Sequence, residues 1–179
     1  LSQVNELKEG SAAPFIVNNI FENLTGTAYK MSAGAFAGTS DSVFINNTIV
    51  NCEGGVETKT PFDAKIVNNI FYETTLAISR SGSLSNEVGY NCFYSNTNDF
   101  QGYPQSYGNI ATRNKKGDLS DIYYNIYLDP LFYNLDAGFY YLLENSPCVD
   151  TGDPSLFDTN VLAMGTTASD MGAIGGVNN

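Results

Sequence analysis

The sequence predicts an all-β chain that folds as a parallel β-solenoid of about four coils with a C-terminal cap. Three observations point to this fold class: an excess of asparagine, a short strand-like motif that recurs along the first hundred residues, and a shortage of charge. The 179 residues include 21 asparagines, and only 15% are charged, whereas 42% are hydrophobic. Soluble domains usually carry about 25% charged residues, and disordered chains carry more charge and fewer aromatic residues than this chain does.

Four segments align without gaps around one asparagine, and they define the coils. The aligned asparagines are separated by 28, 22 and 22 residues. Each segment has an asparagine pair between two short apolar or β-branched stretches, which suits two short strands joined by a sharp bend. Asparagine tolerates the left-handed conformation that such a bend needs. Stacked coils would then join their side-chain amides in a ladder formed by Asn19, Asn47, Asn69 and Asn91.

A third strand is expected later in each coil. Nine residues beyond the ladder asparagine lies an apolar column suited to the interior, formed by Ala28, Val56, Ile78 and Phe100. Ten residues beyond lies a polar column suited to solvent, formed by Tyr29, Glu57, Ser79 and Gln101. The alternation between the two columns is that of a β-strand. The extra residues of the first coil fall around 31–40, and we expect them to form a loop.

The chain divides into four regions of one domain. They are a short N-terminal segment (1–12), the coils (13–108), an excursion without a ladder asparagine (109–127), and the C-terminal cap (128–179). Tyrosine and phenylalanine cluster in the last two regions, and we expect them to cover the C-terminal end of the core; the alternative is a sugar-stacking platform. These aromatic residues are Tyr123, Tyr124, Tyr127, Phe132, Tyr133, Phe139, Tyr140 and Tyr141.

The repeated units resemble the coils of right-handed parallel β-helix proteins, the pectate-lyase-like superfamily. The C-terminal stretch adds an ordered set of motifs: DPLF at 129–132, FYYL at 139–142, SPCVDTGD at 146–153 and SDMGA at 169–173. That set resembles the ending of many bacterial secreted β-helix proteins, including choice-of-anchor Q proteins. The resemblance spans about residues 13–176 and implies a right-handed parallel β-helix in a secreted or cell-surface protein.

The resemblance also implies a candidate active site. β-helix lyases remove a proton from a uronate sugar with lysine or arginine, and calcium neutralises the sugar carboxylate. The candidate catalytic residues here are Arg80, Lys59, Glu57 and Asp99, with Tyr29, Ser79 and Gln101 as candidate substrate-binding residues. Two points argue against catalysis: Glu57 and Arg80 could simply pair, and one acid per coil is few for a calcium site. A glycoside hydrolase is the other enzyme alternative; it needs two carboxylates about 5–9 Å apart, and the expected separation of Glu57 and Asp99, two coils or about 10 Å, is marginal.

A second acidic group lies in the predicted cap. It comprises Asp150, Asp153, Asp158 and Asp170. Their glycine and proline neighbours favour side chains that stabilise turns, and a structural calcium ion is the alternative.

The function that we expect is that of a secreted or surface module, carbohydrate-associated and non-catalytic. The alternatives are a polysaccharide lyase acting on a uronate-containing polymer and a self-assembling or adhesive surface protein. A polysaccharide or cell-surface glycan is the expected partner, and upstream coils or self-association would cover the N-terminal end. Eight lysines and arginines against 19 acids argue against nucleic acid. No apolar run is long enough to predict membrane insertion.

Overall fold

The chain forms a right-handed parallel β-helix whose three sheets each take one strand from every coil. The computed structural model describes residues 14–31, 42–59, 64–82, 86–157 and 165–174. The first sheet contains β1 (Phe15–Val17), β4 (Ser42–Ile45), β7 (Ala64–Val67) and β10 (Glu87–Gly89). The second contains β2 (Ile20–Glu22), β5 (Thr48–Val50), β8 (Ile70–Tyr72) and β11 (Cys92–Tyr94). The third contains β3 (Thr27–Met31), β6 (Gly54–Lys59), β9 (Leu76–Ser81) and β12 (Asn98–Gln101).

The remaining elements follow the four coils as two antiparallel hairpins. The first pairs β13 (Thr112–Arg113) with β14 (Leu119–Ser120). The second pairs β15 (Phe132–Asn134) with β16 (Phe139–Leu142), and a 3₁₀ turn at Leu135–Ala137 joins its strands. Within the described ranges, no helix is long and apolar enough to cross a bilayer.

The asparagine pairs form the predicted bends between the first and second strands. The first member of each pair has a positive φ, 58° at Asn18, 51° at Asn46 and 57° at Asn68. Tyr90 takes the same conformation in the fourth coil, with φ 54°. The backbone therefore turns at the same point in every coil, and the strands on either side stay in register.

The amide ladder runs through the turns as the sequence predicts. Asn47 donates its backbone N–H and its side-chain Nδ2 to Oδ1 of Asn69 at 2.8 and 3.1 Å. Asn69 bonds Asn91 in the same way at 2.9 and 3.0 Å. At the N-terminal end, Asn19 bonds Asn47 through its backbone and side-chain nitrogens at 3.0 and 3.2 Å. All but Asn19 are buried, so the bonds within the coils satisfy amide groups that water does not reach.

The ladder continues into a fifth coil, which corrects the prediction that 109–127 holds no ladder asparagine. Asn91 donates its backbone and side-chain nitrogens to Oδ1 of Asn125 at 3.0 and 3.1 Å. The fully buried Asp121 then ends the ladder, because its carboxylate accepts from the backbone and side chain of Asn125. Ile126 forms a parallel bridge with Cys92, and Tyr124 repeats the left-handed bend with φ 62°. The segment is thus a partial coil with a long insertion.

The core lies between the sheets and is built from columns that repeat once per coil. Phe71 aligns with Phe93, and their rings stack at 5.1 Å with an interplanar angle of 5°. Val56, Ile78 and Phe100 align in the third sheet as predicted. Tyr127 stacks on Phe93 at 5.7 Å and closes the C-terminal end of this core. The largest fully buried side chains include Phe44, Phe71, Phe93, Ile49, Ile66, Ile70 and Ile78.

Most of the C-terminal region runs along the outside of the second sheet. A second apolar cluster lies there, formed by Ile70, Cys92, Ile126, Leu142, Cys148, Val149 and Met171. Gly172 has φ 94°, and a Cβ at this position would lie 2.6 Å from Cδ1 of Ile70, so the contact requires glycine. The predicted aromatic plug is therefore only partly correct. Tyr123 and Tyr127 pack at the C-terminal end, whereas Phe132 and Tyr140 pack on the flank.

Candidate functional site

The outward side chains of the third sheet form a polar column, which we call the third-sheet face. Backbone pairing aligns Lys30 with Glu57, Glu57 with Ser79, and Ser79 with Gln101. Consecutive coils in a sheet are about 4.8 Å apart. Side chains of similar polarity therefore recur at short, regular spacing along the face.

Tyr29 does not belong to this face, which corrects its prediction as an exposed binding residue. Tyr29 aligns with Val56, and its ring stacks on Phe44 at 5.7 Å. Burial raises the pKa of the Tyr29 hydroxyl, although a hydrogen bond with Ser42 opposes the shift. The first coil has one more residue than the second between the ladder asparagine and β3. Its third strand is therefore displaced by one position relative to the count from Asn19.

Glu57 is the centre of a three-residue ion network. Its carboxylate lies 2.8 Å from Nζ of Lys59 on the same strand and 3.2 Å from Nζ of Lys30 on the neighbouring coil. The hydrogen bond from Lys59 lowers the pKa of Glu57, burial opposes it, and the hydrogen bond and charge of Lys30 add to the lowering. Among the residues that the structure describes, Glu57 pairs with these two lysines and not with Arg80, because the β6–β9 register places Ser79 opposite Glu57 and Arg80 opposite Thr58.

Arg80 does not share the outward column of Glu57 and Ser79, which corrects its prediction as a member of the same face. It follows Ser79 on β9 and aligns with the fully buried Thr58. Its Nε donates to the carbonyl of Gly102 at 2.7 Å, and its guanidinium carbon lies 4.7 Å from the centre of the Tyr103 ring. A cation over an aromatic face at this distance is attracted by the ring electrons. Arg80 thus fixes the turn that follows β12.

Asp99 is not brought to the other candidate catalytic residues. It precedes Phe100 on β12, two positions before the column that contains Glu57 and Gln101. Its Oδ1 accepts from Nδ2 of Asn96 at 3.0 Å, and burial raises its pKa against this bond. It lines a shallow open depression with Phe100, Gln105, Tyr107, Gly108 and Asn109.

The cap acids stabilise turns and hold the C-terminal segment together. Asp150 accepts from the backbone and hydroxyl of Thr166 at 2.9 and 2.6 Å. The Asp150 backbone N–H donates to Oδ1 of Asp170 at 2.6 Å. Asp153 accepts from Ser155 and lies 3.3 Å from Nζ of Lys65. Asp158 lies outside the described residues. Across the ranges that the structure describes, no group of three or more histidine, cysteine or acidic side chains is arranged to hold a metal ion.

The structure refines the sequence-based predictions of two features of the described surface. Lys30 belongs to the charged column, because it follows Asn19 by 11 residues, one more than the 10 that separate Glu57 from Asn47. The β15–β16 hairpin exposes three aromatic rings, Tyr133, Phe139 and Tyr141. The alternation of the FYYL segment is the signal that could have separated its inward from its outward rings.

Comparison with known proteins gives one finding. A family model described as a right handed beta helix region matches residues 6–119, which is more than half of the chain. No curated protein and no solved structure matches.

Proposed function

Because the chain belongs to the right-handed β-helix family, we propose that it is a secreted or cell-surface module that binds a polysaccharide without cleaving it. The observation that carries the proposal is the third-sheet face. Lys30, Glu57, Ser79 and Gln101 present charged, hydroxyl and amide groups in one line. A polysaccharide also repeats its hydroxyl groups along a line, so such a face offers it hydrogen-bond partners over several sugars.

The contacts of the cationic residues favour binding over elimination. The base of a lyase must lie within reach of the sugar proton and must be free to accept it. Lys59 and Lys30 share the carboxylate of Glu57, and Arg80 is engaged by Gly102 and the Tyr103 ring. Asp99, the other acid proposed for catalysis, lies off the column. The arrangement supports a fixed polar surface better than a catalytic centre.

Affinity electrophoresis in gels that contain single polysaccharides tests the proposal. The panel includes polygalacturonate, alginate, xylan, chitosan and soluble cellulose derivatives. A Ser79→Ala/Gln101→Ala variant should bind about tenfold more weakly than the unmodified chain, since it loses two hydrogen-bonding groups worth about 0.5–1.5 kcal/mol each. Glu87→Gln on the first sheet is the matched control and should bind normally. Equal retention of the chain in every gel, with or without polysaccharide, would contradict the proposal.

Self-association is a second candidate, supported by the N-terminal edge. Among the described residues, β1, β2 and β3 each form the outer strand of their sheet. Phe15 and Ile20 are 73% and 45% exposed there. Open strand edges can pair with another chain. Sedimentation velocity over a hundredfold range of concentration would reveal association, and a constant monomer mass would contradict it.

A further inference from the structure

The β15–β16 hairpin has aromatic residues on both of its faces, and only the inner set is explained by packing. Phe132 contacts Tyr72 of the second sheet with ring centres 5.7 Å apart. Tyr140 and Leu142 are buried beneath the hairpin. On the opposite side, Tyr133, Phe139 and Tyr141 are 67%, 48% and 40% exposed, and we call these three residues the aromatic hairpin face.

The spacing of the aromatic rings on this face suits a ligand that is a chain of sugar rings. Phe139 and Tyr141 lie two residues apart on one strand, so their side chains point the same way. Their ring centres are 6.4 Å apart and their planes differ by 33°, a separation comparable with the length of one sugar unit. Tyr133 extends the surface onto the neighbouring strand. Solvent-facing strand positions usually carry polar residues, and clustered exposed aromatic rings mark interaction sites.

The charge around the face limits what can bind there. Residues 117–179 contain no lysine or arginine, and Lys116 and Lys65 reach this part of the chain at the Ser146 carbonyl and at Asp153. Asp136 lies in the turn of the hairpin, and Glu144 follows β16 by two residues; both are exposed. These two acids disfavour a polyuronate or an anionic lipid surface at the hairpin, while they do not oppose an uncharged or cationic ligand. Pyranose rings match both the aromatic surface and the acids beside it. Their C–H groups can face the aromatic rings, and their hydroxyl or amino groups can face the acids.

We propose that the aromatic hairpin face binds the pyranose rings of a neutral or amino-sugar polysaccharide. It is a second surface, since the hairpin packs on the second sheet through Phe132 and Tyr72, whereas the third-sheet face lies on another side of the coils. It goes beyond the function proposed above by assigning a different site and a restricted class of glycan.

The test compares three variants on a panel of glycans: cellulose and xylan as neutral polymers, chitin and chitosan as amino-sugar polymers, and polygalacturonate as a polyanion. A Tyr133→Ser/Phe139→Ser/Tyr141→Ser variant should lose at least tenfold in affinity for the neutral or amino-sugar polymer that the unmodified chain binds. Each single change should cost about three- to tenfold, as expected for one aromatic contact. Tyr141→Trp keeps a stacking ring and should bind as well as the unmodified chain. Because the three side chains are exposed, the melting temperature of the triple variant should stay within about 3 °C.

The outcomes separate this proposal from the previous one. Unchanged binding of the triple variant to a neutral or amino-sugar polymer, with loss in Ser79→Ala/Gln101→Ala, overturns the hairpin site and leaves the third-sheet face in place. Binding of the unmodified chain to polygalacturonate alone also overturns the hairpin site and leaves the third-sheet face in place. Binding to none of the polymers overturns both proposals. Loss in Tyr141→Trp equal to that in the triple variant also overturns the hairpin site, because a stacking ring should be interchangeable.

Discussion

Replacing Asn69 with alanine tests how much of the stability lies in the amide ladder. Asn69 is fully buried in the middle of the stack. Its Oδ1 accepts from the backbone N–H of Asn47, and its Nδ2 donates to the carbonyls of Phe44 and Val67, both at 2.9 Å. Alanine would remove all of these contacts. The backbone N–H of Asn47 and the carbonyl of Phe44 would each lose a hydrogen-bond partner in a place that water cannot reach without rearrangement.

The expected loss follows from these contacts. A buried polar group left without its partner costs about 1–3 kcal/mol. With two such groups and a small cavity, Asn69→Ala should lower the free energy of unfolding by about 3–5 kcal/mol. Asn19→Ala is the matched control, because Asn19 is an exposed member of the same ladder and water can replace its contacts. We expect that variant to lose less than about 1 kcal/mol.

Urea unfolding followed by tyrosine fluorescence measures both variants, since the chain has 12 tyrosines and no tryptophan. The slope of the unfolding free energy against urea should be the same in all three proteins, so that the midpoints report stability. If the free energies of unfolding of the two variants differ by less than about 1 kcal/mol, burial does not determine how much each ladder asparagine contributes to stability, and the reasoning is wrong.

Three further predictions concern single acids and one arginine. Asp121→Asn should cost about 2–4 kcal/mol, because an amide group would replace a carboxylate oxygen that accepts buried donors; urea unfolding measures it, and a loss below about 1 kcal/mol would contradict it. Burial raises the pKa of Asp153, but the Ser155 and Lys65 contacts outweigh it, so the pKa is lowered. Its contribution should be present above about pH 4, the unfolded value, and lost as the pH falls through the lower folded pKa. Melting temperatures of the natural chain and Asp153→Asn should therefore converge at low pH, and parallel curves would argue against this. Incubation with uronate polymers, with and without calcium, should yield no ultraviolet-absorbing unsaturated product; a product that Arg80→Ala abolishes would support the lyase alternative.

The repeat unit could be predicted because its determinants are local. Asparagine accepts a positive φ. An asparagine at the same place in each coil can also form hydrogen bonds with the equivalent asparagines of the coils above and below it. The 22-residue interval between Asn47, Asn69 and Asn91 therefore predicts both the bends and the ladder. Asn125 could also have been found, because Tyr124-Asn125-Ile126-Tyr127 resembles Tyr90-Asn91-Cys92-Phe93. The interval of 34 residues conceals it.

The candidate site was harder to predict, because it depends on the register of one strand. A displacement by one residue exchanges the inward and outward faces of a strand. The longer turn after β2 places Tyr29 inside and Lys30 outside. Tyrosine suits either position, so hydrophobicity at that residue could not decide. The opposite charges of Lys30 and Glu57 are the better indicator of the register.

The asparagine pair has two separate roles, which explains why a pair recurs rather than a single residue. The second member points into the turn and carries the ladder. The first member points outward, where the C-terminal segment meets it: Nδ2 of Asn46 donates to the carbonyl of Asp170 at 2.9 Å, and Nδ2 of Asn68 donates to the hydroxyl of Ser169 at 2.8 Å. The Asn68 Oδ1 also accepts from the backbone N–H of Asp153 at 2.8 Å.

The fourth and fifth coils lack this first asparagine, and their contacts differ accordingly. Tyr90 and Tyr124 occupy the left-handed positions there, and their rings stack on each other at 5.2 Å. Polar attachment of the C-terminal segment is thus concentrated on the middle coils, at Asn46 and Asn68. The same segment covers Ile70 and Cys92 on the outside of the second sheet, so its loss would expose these apolar side chains to water and remove the hydrogen bonds at the two bends. The coils and the C-terminal segment therefore stabilise each other, and we expect them to unfold together.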